Sequence, residues 1–169
     1  TLFFFIALLT TKNGLERIKK LNLLQNIRTD GPINHFKKSD TPTMGGIFMM
    51  IPFLIFLLII TINLSSLKLF LLFLTILGFF FTGFLDDYLS IKNKKNTGLK
   101  TKEKFILQSI ISIIFIFLAY EKNLINPSIE ISDSWGINMN IFIFPISFLV
   151  LVGLSNSVNL SDGLDGLAA

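Results

Sequence analysis

Long apolar stretches alternate with short polar segments along this chain. Four stretches consist almost entirely of hydrophobic residues: 45–62, 69–85, 105–120 and 141–158. At about 1.5 Å of rise per residue, helices of 16 to 18 residues extend roughly 24 to 27 Å, close to the roughly 30 Å of a bilayer's hydrocarbon core. The pattern therefore predicts four membrane-spanning helices.

The chain also begins within an apolar run, Leu2 to Leu9, which predicts the tail of a further helix. The stretch 105–120 is the weakest of the four because it contains Gln108, although Tyr120 suits a membrane interface. A backbone in lipid must satisfy its own hydrogen bonds, so helices are expected rather than open strands. We therefore predict an all-α fold, a polytopic transmembrane helix bundle with four spanning helices and the tail of another.

The composition agrees with a membrane protein. Of the 169 residues, 51% are hydrophobic and 15% are charged, and the mean hydropathy is +0.68, well above an ordinary soluble domain. The absence of Cys excludes disulfides and thiolate metal sites within these residues. The net charge of +4 comes from basic blocks between the apolar runs, which favours membrane-flanking loops and argues against a nucleic-acid partner.

Lysine and arginine positions predict how the helices are oriented. Segment 12–38 contains seven of these residues and segment 92–104 contains six, and the two runs between them form a helical hairpin that turns near 63–66. Because basic loops concentrate in the cytoplasm, both segments are predicted to be cytoplasmic. Segment 121–140 has one Lys and three acids, as expected on the opposite side, and the last crossing returns 156–166 to the cytoplasm.

This topology places two adjacent carboxylates, Asp86 and Asp87, at a membrane surface, where an apolar run ends. Neighbouring helical residues point about 100° apart, so one carboxylate can face a metal ion while the other faces a substrate. At a helix C-terminus each acid opposes the helix dipole by roughly 0.3 to 1 kcal/mol, which Mg²⁺ or downstream lysines would offset. The alternative is a solvated helix end neutralised by Lys92, Lys94 and Lys95.

Two further polar stretches are predicted at the same surface. KKSDTPTMGG at 37–46 resembles a helix start whose free amides, with Lys37 and Lys38, suit an anion, although such starts are also purely structural. In NSVNLSDGLDG at 156–166, the carboxylates and amides can coordinate Mg²⁺ or accept the N–H groups of a nucleobase. A glycine-rich helix cap is the alternative for this last stretch.

Together the motifs resemble those of the phospho-N-acetylmuramoyl-pentapeptide transferases, integral membrane enzymes that begin the lipid-linked stage of peptidoglycan synthesis. The matching segments are RTDGPINHFKKSDTPTMGG at 28–46, GFLDDYLSIKNKKNTGL at 83–99 with Lys104 beyond it, and NSVNLSDGLDGLA at 156–168. They occur in the family's order, and the resemblance covers nearly all of the chain.

The resemblance implies a reaction in which UDP-MurNAc-pentapeptide and undecaprenyl phosphate give lipid I and UMP, with Mg²⁺ as the required cofactor. The implied location is the bacterial plasma membrane, with a multi-pass chain and cytoplasmic active-site loops. The reaction would serve cell wall biogenesis, and through it cell shape and cell division. The partners would be the two substrates and the lipid bilayer, and a homodimer is left open.

The resemblance also implies roles for particular residues. Asp86 and Asp87 would be catalytic, with Asp86 as the favoured base or acceptor toward the lipid phosphate. Both would hold Mg²⁺ together with Asp162 and a further ligand beyond Ala169. The implied substrate-binding residues are Lys38, Thr43, Lys104, Asn156, Asp162, Gly163, Leu164, Asp165 and His35.

The resemblance further implies that the chain is incomplete. The family has about twice this length and ten transmembrane helices, so residues 1–169 are expected to be part of one integral membrane transferase domain, truncated at both ends and inactive alone. Asp40 stands where the family usually has Gly, and a modest effect on anion binding is expected.

Two other functions fit some of the same features. A polyprenyl-phosphate GlcNAc-1-phosphate transferase shares the DD pair and a DGxDG-like motif, but TPTMGG preceded by DGPxxH favours the muramoyl-pentapeptide enzyme. A transporter could line an ion path with Asp86 and Asp87, but this requires acids at mid-bilayer depth. The end of an apolar run beside lysines is a poor match for that depth.

Overall fold

The computed structural model describes residues 2–20, 44–93, 98–132 and 135–161. Its helices are α1 (Leu2–Lys20), α2 (Gly46–Leu64), α3 (Leu67–Asn93), α4 (Thr101–Glu121) and α5 (Ile143–Ser161), with a 3₁₀ turn at Asn140–Phe142 before α5. Strands β1 (Ser128–Ser132) and β2 (Trp135–Asn138) form an antiparallel hairpin. The predicted all-α bundle is confirmed, and the small hairpin is an addition to it.

Four of the described helices are long and apolar enough to cross a membrane: Gly46–Leu64, Leu67–Asn93, Thr101–Glu121 and Asn140–Val158. They correspond to the four predicted spans. Only 6 to 22% of the apolar window in each is buried inside the structure. Most large hydrophobic side chains therefore face outward, as expected where lipid or further protein covers them.

Helix α1 is longer than the apolar run that predicted it. The run ends at Leu9, but the helix continues to Lys20, so the first part of segment 12–38 is helical rather than a loop. Arg17, Lys19 and Lys20 occupy its last turn, where positive charge interacts favourably with the helix dipole. Hydropathy marks only the part of a helix that suits lipid, which is why it missed this extension.

The chain divides into two units, Thr1–Lys104 and Phe105–Ala169. In the first unit α1 packs on α2 and α2 packs on α3. Helix α2 ends at Leu64 and is capped by Ser65, which adopts a left-handed conformation with φ 45° and whose N–H donates to the Ile62 carbonyl at 3.2 Å. Two residues later α3 begins, which confirms the tight turn predicted near 63–66.

Threonines lie among the buried residues of this hairpin. Thr61 on α2 and Thr75 and Thr82 on α3 are buried. Each hydroxyl donates to the carbonyl four residues earlier in its own helix, at 2.7, 2.8 and 3.1 Å respectively. None of these three hydroxyl donors is therefore left unsatisfied, and small side chains of this kind let helices approach closely, as is common in membranes.

The hairpin also fixes the height of the acidic pair. From Leu67 through Asp86, α3 has 20 residues, and the antiparallel α2 has 19. At about 1.5 Å per residue both lengths are near 30 Å, so Asp86 lies roughly level with the first turn of α2. The remaining seven residues of α3, through Asn93, project about 10 Å further.

In the second unit α4 and α5 run antiparallel. The rings of Tyr120 and Phe144 meet edge to face with centroids 5.1 Å apart. Further along the two helices, Gln108 contacts Asn156. Twelve residues separate the two contacts on each helix, which corresponds to about 18 Å. An entirely apolar groove of about 430 Å³ lies at the Tyr120 end and is lined by Ile113, Ile116, Phe117, Tyr120, Phe144, Pro145 and Phe148. The polar contacts described between these two helices lie at the Gln108 end.

The β-hairpin between α4 and α5 was missed by the sequence reasoning. Ser128 pairs with Asn138 and Ile129 with Ile137, with an irregularity between Glu130 and Ser132. The alternation in SIEIS has the period of two that is typical of a strand. The signal is present in the sequence, although the charge pattern by itself predicts only a loop on the side opposite the basic segments.

Candidate active site

Asp86 lies inside α3, seven residues before the end of this helix at Asn93. The expectation that Asp86 and Asp87 terminate the helix was therefore wrong. The apolar run ends at Leu85, but the eight mostly polar residues 86–93 continue the helix for just over two more turns. Because the helix dipole acts mainly on the last turn, it does not account for the charges around the pair.

Both carboxylate oxygens of Asp86 accept hydrogen bonds. Lys104 Nζ donates to Oδ2 at 2.9 Å, and the backbone N–H of Leu99 donates to Oδ1 at 2.9 Å. The Lys104 and Asp86 side chains are only 15% and 24% exposed, so the pair is partly shielded from water. Charge-assisted bonds of this kind are among the stronger ones in proteins, and together they fix the position of the carboxylate.

Gly98 allows the loop before α4 to reach Asp86. A Cβ at this position would overlap the Asp86 backbone carbonyl and come close to the carboxylate oxygen Oδ1. Only a residue without a side chain fits at this approach. The loop amide of Leu99 can bond to the carboxylate because its neighbour is glycine.

The start of α4 positions the lysine. The Lys100 N–H donates to the Glu103 carboxylate at 2.9 Å, a contact that satisfies a free amide at the helix start and suits its dipole. The Lys104 N–H donates to the Lys100 carbonyl at 3.0 Å. These bonds fix the beginning of α4, and with it the side chain that reaches Asp86 from one turn inside the helix.

Asp87 differs from its neighbour. Its carboxylate makes no hydrogen bond within the described part of the chain, and the residue is only partly exposed. Since adjacent helical side chains point about 100° apart, Asp87 faces a different direction from the loop-held Asp86. One carboxylate is anchored and the other is available to a ligand.

The carboxylates have the oxygen chemistry that Mg²⁺ prefers. However, no group of three or more His, Cys, Asp or Glu side chains comes together among the described residues, and both Asp86 oxygens are already engaged. Of the two acids, only Asp87 has carboxylate oxygens that no described residue engages and that could bind a metal ion. The described residues thus fit part of a magnesium site, and Asp162, which would add to it, lies outside them.

Asn156 belongs to the second unit and lies in α5. Its Nδ2 donates to Gln108 Oε1 at 2.6 Å and to the Val152 carbonyl at 2.8 Å. Gln108 Nε2 donates in turn to Ser155 Oγ at 3.2 Å. Gln108 is 2% exposed, whereas Ser155 and Asn156 are partly exposed, so the network is buried at its α4 member and accessible from α5.

The predicted site residues are thus only partly described. Asp86 and Lys104 are in contact, Asp87 is their neighbour, and Asn156 lies in the second unit. The others fall outside the described residues, and their placement stays a prediction; they are His35, Lys38, Thr43, Asp162, Gly163, Leu164 and Asp165.

Sequence reasoning missed several residues that hold these side chains in place. Gly98 and Leu99 were included in a motif but given no role, and Lys104 was assigned to phosphate rather than to Asp86. Gln108 was regarded only as a weakness of its apolar run. A polar amide inside a spanning segment is a signal of function or of a specific partner, and it could have identified Gln108.

Comparison with known proteins agrees with the motifs. Glycosyl transferase family 4 matches residues 69–169, and the phospho-N-acetylmuramoyl-pentapeptide-transferase signature 1 matches residues 38–48. These two matches together include both acids, Lys104, Asn156 and Lys38.

Curated relatives with the name phospho-N-acetylmuramoyl-pentapeptide-transferase are similar over almost the whole chain. One from Prochlorococcus marinus (strain MIT 9215) is 83% identical over 168 residues, which cover 99% of this chain and 47% of the relative. One from Prochlorococcus marinus subsp. pastoris is 59% identical over 164 residues, 97% of this chain and 46% of the relative. One from Halalkalibacterium halodurans is 37% identical over 171 residues, 99% of this chain and 52% of the relative.

The chain spans about half the length of the curated relatives it matches. This agrees with the expectation of a fragment of a longer polytopic membrane protein. The resemblance inferred from the three motifs is confirmed, and the chain belongs to glycosyl transferase family 4.

Proposed function

We propose that the protein containing this chain is a membrane phospho-sugar transferase. It transfers phospho-MurNAc-pentapeptide from UDP-MurNAc-pentapeptide to undecaprenyl phosphate and gives lipid I and UMP. The names of the relatives and the signature at 38–48 support this sugar substrate. The observation that carries the proposal is the pair of unequal carboxylates, with Asp86 anchored by Lys104, at the level where the spanning part of α3 ends.

The reaction is a displacement at phosphorus. An oxygen of the lipid phosphate forms a bond to the phosphorus attached to the sugar, and the bond from this phosphorus to the oxygen of the uridine phosphate breaks. The electron pair leaves with UMP. Catalysis of such transfers consists mainly of positioning the phosphates and neutralising their charge.

The geometry suggests how the acidic pair divides this work. Asp86 is held in place by Lys104 and the Leu99 amide. It would lie beside the lipid phosphate as the base that accepts its proton, and Lys104 would supply positive charge there. Asp87 and Asp162 would hold Mg²⁺, which neutralises phosphate charge when bound. A lipid phosphate is confined to the membrane surface. Acids at the end of the apolar part of α3 lie at this surface and can therefore contact the phosphate.

The remaining substrate residues would bind the nucleotide. Lys38 and Thr43, within or beside the matched signature, would hold its phosphates, with His35 nearby. Asn156 and the segment from Asp162 through Gly163 and Leu164 to Asp165 would surround the uridine. Of these residues only Asn156 has a described environment.

Assay of the full-length protein with both UDP-sugars tests the proposal. Purified protein in lipid with undecaprenyl phosphate and Mg²⁺ should release UMP from UDP-MurNAc-pentapeptide, with little release from UDP-GlcNAc. Omission of the lipid phosphate is the control for hydrolysis. A clear preference for UDP-GlcNAc would overturn the sugar assignment, and ion flux without UMP release would favour a transporter.

The proposed location is a bacterial plasma membrane, with the active-site loops in the cytoplasm. The distribution of Lys and Arg supports it. Single cysteines at Ser39, Lys92 and Ser161, in a full-length protein without other cysteines, should react with an impermeant maleimide from the cytoplasmic side only. Asn123→Cys is the matched control for the opposite side. If one of the three cysteines were labelled from the same side of the membrane as Asn123→Cys, its loop would lie opposite the other two, which contradicts a shared pocket.

A further inference from the structure

We propose that Gln108 is a positioning residue that makes Asn156 present only a hydrogen-bond acceptor to its ligand. The inference rests on the proposed function, in which Asn156 contacts substrate. It concerns the direction of the Asn156 amide, which decides whether this residue binds a phosphate oxygen or a group that carries positive charge density.

The backbone fixes this direction. Val152 offers a carbonyl oxygen 2.8 Å from the Asn156 amide, and a carbonyl can only accept, so the atom facing it must be the nitrogen Nδ2. The second hydrogen of this nitrogen points to Gln108 Oε1 at 2.6 Å. Both donors of Asn156 are then used within the described part of the chain, and its oxygen Oδ1 is the atom that we assign to a ligand.

The orientation of the Gln108 amide follows from that of Asn156, because only an acceptor can face the Asn156 N–H. Its Oε1 accepts from Asn156, and its Nε2 donates to Ser155 Oγ at 3.2 Å. Gln108 is 2% exposed, so water has little access to these bonds from its side. Rotation of the Gln108 amide would turn an N–H toward the Asn156 N–H, which is unfavourable for buried groups.

An acceptor alone selects its ligand chemistry. A phosphate oxygen at neutral pH is itself an acceptor, so it gains nothing from Asn156 Oδ1. A nucleobase N–H or a water molecule bound to a cation does supply a hydrogen, and a cation can also bind an amide oxygen directly. We therefore assign Asn156 to the base N–H or to the cation with its water, and not to the phosphates.

A double-mutant cycle on the full-length protein tests the assignment, with binding of UMP measured by calorimetry in the presence of Mg²⁺. Gln108→Met keeps the length of the side chain but removes the acceptor, and should weaken UMP binding about tenfold, the loss expected for one hydrogen bond. Gln108→Glu, whose carboxyl is expected to enter this buried site as the neutral acid, keeps a carbonyl acceptor for Asn156 without a buried charge and should restore much of the affinity. In an Asn156→Ala background, Gln108→Met should have no further effect.

Ser112→Ala is the matched control. Ser112 lies one turn from Gln108 in α4, is 0% exposed, and its hydroxyl has no partner among the described residues. Its removal should leave UMP affinity within about twofold of the wild type. An equal loss from Ser112→Ala and Gln108→Met would mean that any change in this buried layer acts, and would overturn the proposal.

Three ligands separate the sources of the donor. Loss of the Gln108–Asn156 coupling with N3-methyl-UMP assigns the base N–H, and loss on removal of Mg²⁺ assigns the cation or its bound water. Coupling that persists with pyrophosphate in the absence of Mg²⁺ would overturn the acceptor-only assignment. A wild-type protein that binds no UMP would overturn the proposed function and this inference with it, whereas normal UMP binding by Asn156→Ala overturns the inference alone.

Discussion

The two units of the chain each fix one candidate functional side chain, but by different chemistry. Asp86 is held by a full positive charge and a loop amide, whereas Asn156 is held by a neutral amide and its own helix carbonyl. The exposed fractions explain the difference, since Lys104 and Asp86 keep 15% and 24% of their side-chain surface, and Gln108 keeps 2%. Burial of a charged group costs several kcal/mol in lost hydration. Partly exposed groups such as Lys104 and Asp86 avoid most of this cost, whereas a fully buried contact is better made by neutral amides.

The comparison predicts that loss of charge at Asp86 has the largest effect. In the full-length protein, Asp86→Asn should lower UMP release by about 100-fold or more, because it removes the anchored carboxylate and leaves Lys104 without its counterion. Membrane insertion, followed by protease protection, should be unchanged. Turnover at the wild-type rate would remove Asp86 from the mechanism.

Loss of the lysine should rank second. Lys104→Met keeps the length of the side chain but leaves a partly shielded carboxylate without its cation, a loss of roughly 2 kcal/mol or about thirtyfold in kcat/KM. Lys104→Arg, which keeps the charge, should restore part of the rate. Equal rates for the two variants would show that the positive charge is not what Asp86 needs.

The loop contact should give a smaller effect. Gly98→Ala forces the loop away from the Asp86 carbonyl, at a cost of roughly 1 to 3 kcal/mol, and about tenfold slower UMP release is expected. The matched control is Gly83→Ala on α3, where an added Cβ meets no atom within 4 Å. A similar loss in both variants would point to α3 itself rather than to the loop.

The smallest effect is expected in the helix hairpin, where no polar contact joins the helices through the three threonines. Thr75→Val keeps the shape of the side chain and removes a hydroxyl that bonds only within α3. Its cost should be below about 1 kcal/mol, visible at most as a shift of a few degrees in thermal unfolding in detergent. A large loss of stability would mean that this hydroxyl serves another helix.

The positions of the spanning helices could be predicted from the sequence because lipid imposes both length and hydrophobicity on them. The ends could not. Helix α1 continues to Lys20 and α3 to Asn93, since polar residues outside the bilayer remain good helix formers. Hydropathy records where a helix meets lipid and says nothing of where its hydrogen bonds stop.

The candidate site was predictable to a similar degree. Asp86, Asp87 and Asn156 stand out as polar residues at the ends of apolar runs, and the motifs identify them. Their partners do not stand out, because Lys104 is one of six basic residues in its segment and Gln108 lies 48 positions from Asn156. Which lysine or amide reaches a given side chain depends on packing that one sequence does not encode locally.

The uninterrupted helix between the turn at Ser65 and Asp86 sets both the height and the direction of the Asp86 carboxylate. One residue inserted there would swing the acid through about 100° and away from the loop amide, and only an insertion near a whole turn would restore its direction while lifting it by about 5 to 6 Å. The helix therefore cannot adapt to a thicker bilayer by insertion of single residues between Ser65 and Asp86. Adaptation must come from tilt, or from the projecting end of α3, where length is free to change.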